Sequence, residues 1–102
     1  MSSDIILFSL SIKDLGKPIG IALLNLKTEE ITNLLIDGDF KRQGFGTKLI
    51  HEIEKYAKKK NLRRVHIVSH IENPGARALF KKLGYDELRD VEWVRMEKQL
   101  SE

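Results

Sequence analysis

Two glycines one residue apart, Gly44 and Gly46, stand inside the stretch 41–47, Lys-Arg-Gln-Gly-Phe-Gly-Thr, and their surroundings are those of an anion site. Glycines at this spacing let the backbone turn tightly and come close to a ligand. A helix that starts there leaves its first N–H groups without carbonyl partners. Those amides form the positive end of the helix dipole, and Lys41, Arg42 and Lys48 add full charges, so a phosphate or pyrophosphate is the natural occupant. The same short pattern also serves as a plain strand-to-helix turn with solvated charges, and Gly-x-Gly alone does not choose between the two.

Other phosphate chemistries fit less well. The dinucleotide fingerprint Gly-x-Gly-x-x-Gly lacks its third glycine, because Leu49 occupies that place, and the Gly-Lys-Ser/Thr ending of a nucleotide-hydrolase loop is missing. There is no cysteine, which removes thiolate nucleophiles, zinc-thiolate sites and disulfides. Three histidines remain: His51 on a helix surface and His66 on a strand read as bystanders, whereas His70 falls in a loop near the expected crevice and is a candidate acid or base.

The elements that must position this loop follow from periodicity. Ile6, Phe8, Leu10 and Ile12 alternate with Leu7, Ser9 and Ser11, which predicts a strand over 4–12 with one face more buried than the other. Turn residues at 13–18 lead to a second strand over 19–26, and a polar turn at 27–29 leads to a third over 30–36, antiparallel to the second. Leu49, Ile50, Ile53, Tyr56 and Ala57 keep helical spacing and predict a helix over 47–60 with Asn61 as its C-terminal cap. A strand at 65–69 comes next. Strand, helix and strand in this order make a right-handed crossover, so the third and fourth strands should be parallel, with a ligand crevice at their C-terminal ends. A second helix, over 73–84, is punctuated by Asn73 at its N-cap, Pro74 at its first position and Gly84 just past its end. Strands at 85–89 and 91–96 close the chain, the latter carrying Trp93.

Composition bounds the rest. The 102 residues, 41% hydrophobic and 32% charged with no linker-like tract, predict a single soluble domain over 1–102 with one core. The absence of cysteine, of a basic N-terminal region and of any apolar run near the ~20 residues of a membrane span leads to the expectation of a cytoplasmic protein. Net charge is +3, and the cluster Lys58, Lys59, Lys60, Arg63 and Arg64 is placed to complement the dipole at the end of the first helix. No aromatic residue interleaves it, which argues against a nucleic-acid surface.

With both glycine-bearing segments in view, the chain resembles the GNAT superfamily of N-acetyltransferases, a small single-domain member. The signature Gln/Arg-x-x-Gly-x-Gly/Ala falls on 41–46, and Asn-x-x-Ala-x-x-Leu-Tyr-x-Lys-x-Gly-Phe falls on 73–85. The resemblance covers residues 30 to about 100. It implies an α+β fold with a central, mostly antiparallel sheet, one splayed parallel strand pair and two main helices. It implies acetyl-CoA as co-substrate, its pyrophosphate held by Lys41, Arg42, Gln43, Gly44, Phe45, Gly46 and Thr47 and its pantetheine arm by the backbone of Leu34, Leu35 and Ile36. Asn73 is equally placed as a helix cap or a cofactor contact. The oxyanion donor would be the backbone N–H of Leu34. Counting back from Gly44 puts Glu30 on the glutamate that serves as base in the histone-acetyltransferase branch. Three departures stand out. Lys41 replaces Gln or Arg and loses the guanidinium fork. Phe80 stands where many relatives carry a tyrosine that protonates the leaving thiolate. The link between the first two strands is a short turn where relatives insert two helices, so the acceptor site is left open or is completed by a second subunit, as in a homodimer. The reading that follows is acetyl transfer from acetyl-CoA to a primary amine on a protein, peptide or small molecule. Its rivals are a CoA-binding module without transfer, suggested by Phe80, and a nucleic-acid-binding domain, suggested by the basic cluster.

Overall fold

The computed structural model describes residues 4–12, 16–38, 44–70, 74–89 and 93–100. They form β1 (Ile5–Ser11), β2 (Pro18–Asn25), β3 (Glu30–Ile36), α1 (Phe45–Lys59), β4 (Arg64–His70), α2 (Pro74–Lys82), β5 (Asp86–Arg89) and β6 (Trp93–Gln99). The six strands make one sheet in the order β1-β2-β3-β4-β6-β5. β3 and β4 are parallel and every other neighbouring pair is antiparallel. This is the expected mixed α+β architecture. Strand order at the far edge could not be read from the sequence: β6 inserts between β4 and β5, and runs three residues beyond its expected end.

Both helices lie on the same face of the sheet. Leu49, Ile50, Ile53 and Ala57 of α1 and Phe80 of α2 share one buried cluster with Ala22, Leu24, Ile31, Val65, Val94 and Met96 from the strands. The alternation expected in β1 is present, with Phe8 turned toward α1 and meeting Tyr56 edge to face at 5.5 Å between ring centres. Each helix is closed by a Schellman motif. After α1, Leu62 N–H donates to Ala57 O and Asn61 N–H to Lys58 O, with Asn61 at φ 65°. After α2, Tyr85 N–H donates to Phe80 O and Gly84 N–H to Lys81 O, with Gly84 at φ 94°. Asparagine tolerates the left-handed conformation and glycine prefers it, which is why these two residues read as stops.

A buried polar group joins the helix layer to the sheet. Tyr85 Oη donates to a Glu54 carboxyl oxygen at 2.8 Å, and Lys98 Nζ donates to the other at 3.2 Å and to Leu83 O at 2.9 Å. The opposite face of the sheet has no helix among the described residues. Leu7 and Leu35 are each 62% exposed there, and Trp93, Leu88 and Val68 are also open to solvent. No helix of the described residues is long and apolar enough to cross a membrane.

Candidate active site

The parallel pair that the crossover produces barely pairs. β3 and β4 share a single ladder position, Glu30 with His66, and His66 N–H donates to Glu29 O at 3.0 Å. From there the two strands part toward their C-terminal ends, while β4 stays bonded to β6 along its whole length. A cleft between parallel strands is the result, with Glu30 and His66 at its apex and the start of α1 beyond its mouth.

One wall of the cleft is irregular in a way that the sequence did not announce. The β2–β3 register runs Ile21 to Leu35 and then Leu23 to Thr32, so Ala22 alone stands opposite both Asn33 and Leu34. This is a β-bulge, and Asn33 carries it at φ 53°. The only signal available in advance was the residue type, since asparagine enters the left-handed region more readily than most. The bulge keeps Leu34 and Ile36 on the helix side and turns Leu35 to the open side, where it is 62% exposed. Bulges of this kind re-aim backbone groups and are common next to active sites.

At the mouth, Gly44 is the N-cap of α1 with φ 83° and ψ 3°, and no side chain among the described residues caps the helix. The left-handed angle accounts for glycine at this position. The first helical bond is Lys48 N–H to Gly44 O at 3.0 Å, so the amides of Gly46 and Thr47 precede the intrahelical ladder. The first turn carries no acidic side chain. Gly46 differs from Gly44: a β-carbon there would meet Leu79 Cδ2 at 3.6 Å and Ile36 Cγ1 at 4.0 Å, ordinary contact. Its absent side chain points inward, at α2 and the end of β3.

The apex is electrostatically built. Glu30, His66 and Glu97 are cross-strand neighbours in one row and project on the helix-free face. Arg64 reaches Glu29 at 3.3 Å and Glu97 at 3.9 Å, and Arg95 reaches Glu97 at 3.0 Å. His66 lies between, its Nδ1 3.4 Å from an Arg95 guanidinium nitrogen and its Nε2 4.0 Å from Glu30 Oε1. Burial first, and then the Arg95 charge, hold the His66 imidazole below its ordinary pKa, against the opposing pull of Glu30, Glu97 and Glu29. The ring is therefore neutral at pH 7.

The cleft brings together Glu30, Leu34, Leu35 and Ile36, with Gly44, Phe45, Gly46 and Thr47 at its mouth. Lys41, Arg42, Gln43 and Asn73 lie outside the described residues, as does the side chain of His70. Phe80 is 1% exposed, packed edge to face on Tyr85 with 4.9 Å between ring centres. His51 is on the outer surface of α1, as expected of a bystander. His66, read from the sequence as a bystander, stands beside Glu30 and Arg95 in the row at the apex. A histidine in an apolar strand gives no sign of its neighbours, which come from β3 and β6.

The sequence model of the acetyltransferase (GNAT) family matches residues 3–85. The chain belongs to the GNAT family. An uncharacterized N-acetyltransferase of Methanocaldococcus jannaschii is 35% identical over 95 residues, covering 83% of this chain. The chain spans 42% of the length of that relative. Among solved structures, the ribosomal-protein-S18-alanine N-acetyltransferase of Escherichia coli superposes with a TM-score of 0.85 at 22% identity, covering 100% of this chain and 73% of its own. The PaiA N-acetyltransferase of Thermoplasma acidophilum, solved in complex with coenzyme A, has a TM-score of 0.85 at 23% identity, covering 94% of this chain and 61% of its own. At these identities the superpositions establish the GNAT fold.

Proposed function

We propose that this chain transfers an acetyl group from acetyl-CoA to a primary amine by direct attack. The observation that carries the reading is the cleft: two parallel strands joined by one ladder pair, opening toward the uncapped amides at the start of α1. The coenzyme A bound to the Thermoplasma relative supports the same ligand here.

Bound acetyl-CoA would supply an activated thioester, and the residues of this chain would do the rest. Gly46 and Thr47 present amides and the positive end of the α1 dipole to the pyrophosphate, with Lys48 adding charge. The family resemblance assigns Lys41, Arg42, Gln43, Phe45 and Asn73 to the cofactor as well, whereas Phe80, 1% exposed, offers it no surface. Leu35 and Ile36 offer the β3 edge that β4 does not use. The bulge at Asn33 and Leu34 leaves the Leu34 N–H as the donor for the thioester oxygen, where negative charge develops. Glu30 takes the proton of the attacking amine, directly or through water. Its carboxylate has no cation against it among the interactions of the row, whereas Glu29 and Glu97 are held by arginines.

The test is a thermal melt with coenzyme A followed by a transfer assay over a panel of amines. Coenzyme A at 100 times its Kd should stabilise the fold by about 2.7 kcal/mol. No shift near millimolar coenzyme A overturns the reading. A shift with no product on any amine would leave a binding module.

A further inference from the structure

We propose that His66 is a positioning residue for Glu30, presenting an Nε2–H to its carboxylate in a tautomer set by Arg95. The inference rests on the acetyltransferase reading only for its kinetic consequence. Its geometric content stands on the row of charges itself.

Arginine has donors and no acceptor, so the guanidinium nitrogen 3.4 Å from His66 Nδ1 meets a lone pair there. The proton of the neutral ring is then on Nε2, the nitrogen that faces Glu30 Oε1 at 4.0 Å. Arg95 is in turn fixed by Glu97 at 3.0 Å, and Glu97 is shared with Arg64, which also holds Glu29. These are the charged groups facing His66 from β3, β4 and β6, with Glu29 from the turn before β3. Four of these five charged groups are committed to one another, so the ring's remaining direction is toward Glu30. The two side chains differ in freedom: that of His66 is 10% exposed and that of Glu30 is 36% exposed. The buried ring is the fixed member, and Glu30 moves to it. A small rotation of Glu30 closes the 4.0 Å gap to a hydrogen bond, which places the carboxylate at the apex of the cleft and selects one rotamer of a side chain that solvent would otherwise leave free.

The first arm of the test needs no activity. Long-range 15N–1H correlation spectra of the histidine rings at pH 7 should show His66 neutral with its proton on Nε2, and Glu30→Gln should move the Nε2 resonance while leaving Nδ1 nearly in place. An Nδ1–H tautomer, an imidazolium, or an Nε2 signal indifferent to Glu30→Gln overturns the proposal. The second arm is kinetic. His66→Phe should lower kcat by between about tenfold and a hundredfold, the usual cost of a misplaced reacting group, with KM for acetyl-CoA unchanged. His66→Gln, which still offers an N–H, should recover most of the loss. In a Glu30→Gln background His66→Phe should cost nothing more. Equal losses in His66→Phe and His66→Gln, or the same loss with and without Glu30, would mark a merely structural histidine. Correct spectra in a protein that transfers no acetyl group would sink the acetyltransferase reading and leave the contact standing.

Discussion

The two faces of the sheet use the same residue types for opposite ends. On the helix-covered face, Glu54, Tyr85 and Lys98 form a closed group in which the carboxyl, the hydroxyl and the ammonium each have a partner. On the helix-free face, Glu30, His66, Arg95, Glu97, Arg64 and Glu29 form a row that ends in a half-exposed carboxylate. A polar group sealed under helices must be satisfied, since each buried unpaired atom costs free energy. A row at an open cleft can leave one member uncommitted. The covered face therefore holds α1 and α2 at fixed positions against β6, and the open face holds the group that would meet an acceptor.

The sharpest way to break this contrast is to neutralise one glutamate on each face. Glu30→Gln should lower transfer to a good amine at pH 7 by about two to four orders of magnitude, the usual worth of a positioned general base. Its melting temperature and its response to coenzyme A should stay near those of the parent, because a half-exposed carboxylate 4.0 Å from its neighbour contributes little to folding. The loss should shrink as pH approaches the pKa of the amine, where free amine needs no base. A fully active Glu30→Gln enzyme at pH 7 would move the base elsewhere. Glu54→Ala should do the reverse. It leaves the buried Tyr85 Oη without its acceptor, while Lys98 Nζ keeps Leu83 O, and should cost about 1–3 kcal/mol of stability, the scale of one unsatisfied buried group. Turnover per folded molecule should be unchanged in that variant. A Glu54→Ala protein that melts like the parent would show that the covered group is not a structural clamp.

A smaller effect tests the mouth of the cleft. Thr47 lies in the first turn of α1, which has no acidic residue. Thr47→Asp should stabilise the free protein by about 0.3–1 kcal/mol through the helix dipole. The same charge should repel a pyrophosphate and remove most of the shift produced by coenzyme A. Opposite signs in one variant separate a cradle from a solvated turn. An undiminished shift would place the anion elsewhere. Substituting Gly46 is a poorer probe, because its side chain would point at Leu79 and Ile36 rather than at the ligand.

How much of this could be read in advance follows from which contacts are local. Element order, the two helix stops at Asn61 and Gly84 and the parallel strand pair all rest on short-range patterns, and the structure has them. The glycines of the loop announced a tight turn, and Gly44 is at φ 83°. The row around His66 and the group around Glu54 were invisible, since each joins residues more than 25 positions apart across strands whose order was unknown. The bulge was invisible for another reason: it is one residue of register between two strands, carried by an asparagine in an otherwise regular run. Trp93, the largest apolar side chain of the tail, is half exposed, because its face of β6 carries no helix among the described residues.

The smallest expected effects are the two arms of the stability–pH curve, and each belongs to one face. The folded state holds His66 below its ordinary pKa of 6.5, chiefly through burial and then through Arg95. The unfolded chain therefore binds more protons below that pH, and stability should be complete above about pH 6.5 and fall as pH drops further. Tyr85 is displaced the other way: burial and the bond to Glu54 raise its hydroxyl above its ordinary pKa of 10. Its contribution should be complete below about pH 10 and be lost as pH rises beyond it, because the unfolded chain then releases the proton first. Urea titrations from pH 4 to 11 on the parent, His66→Gln and Tyr85→Phe would assign the arms. His66→Gln should flatten the acid arm alone, and Tyr85→Phe the alkaline arm alone. An acid arm that survives His66→Gln unchanged would mean that the open-face row does not hold its histidine neutral, and the tautomer inferred for it would fall with that result.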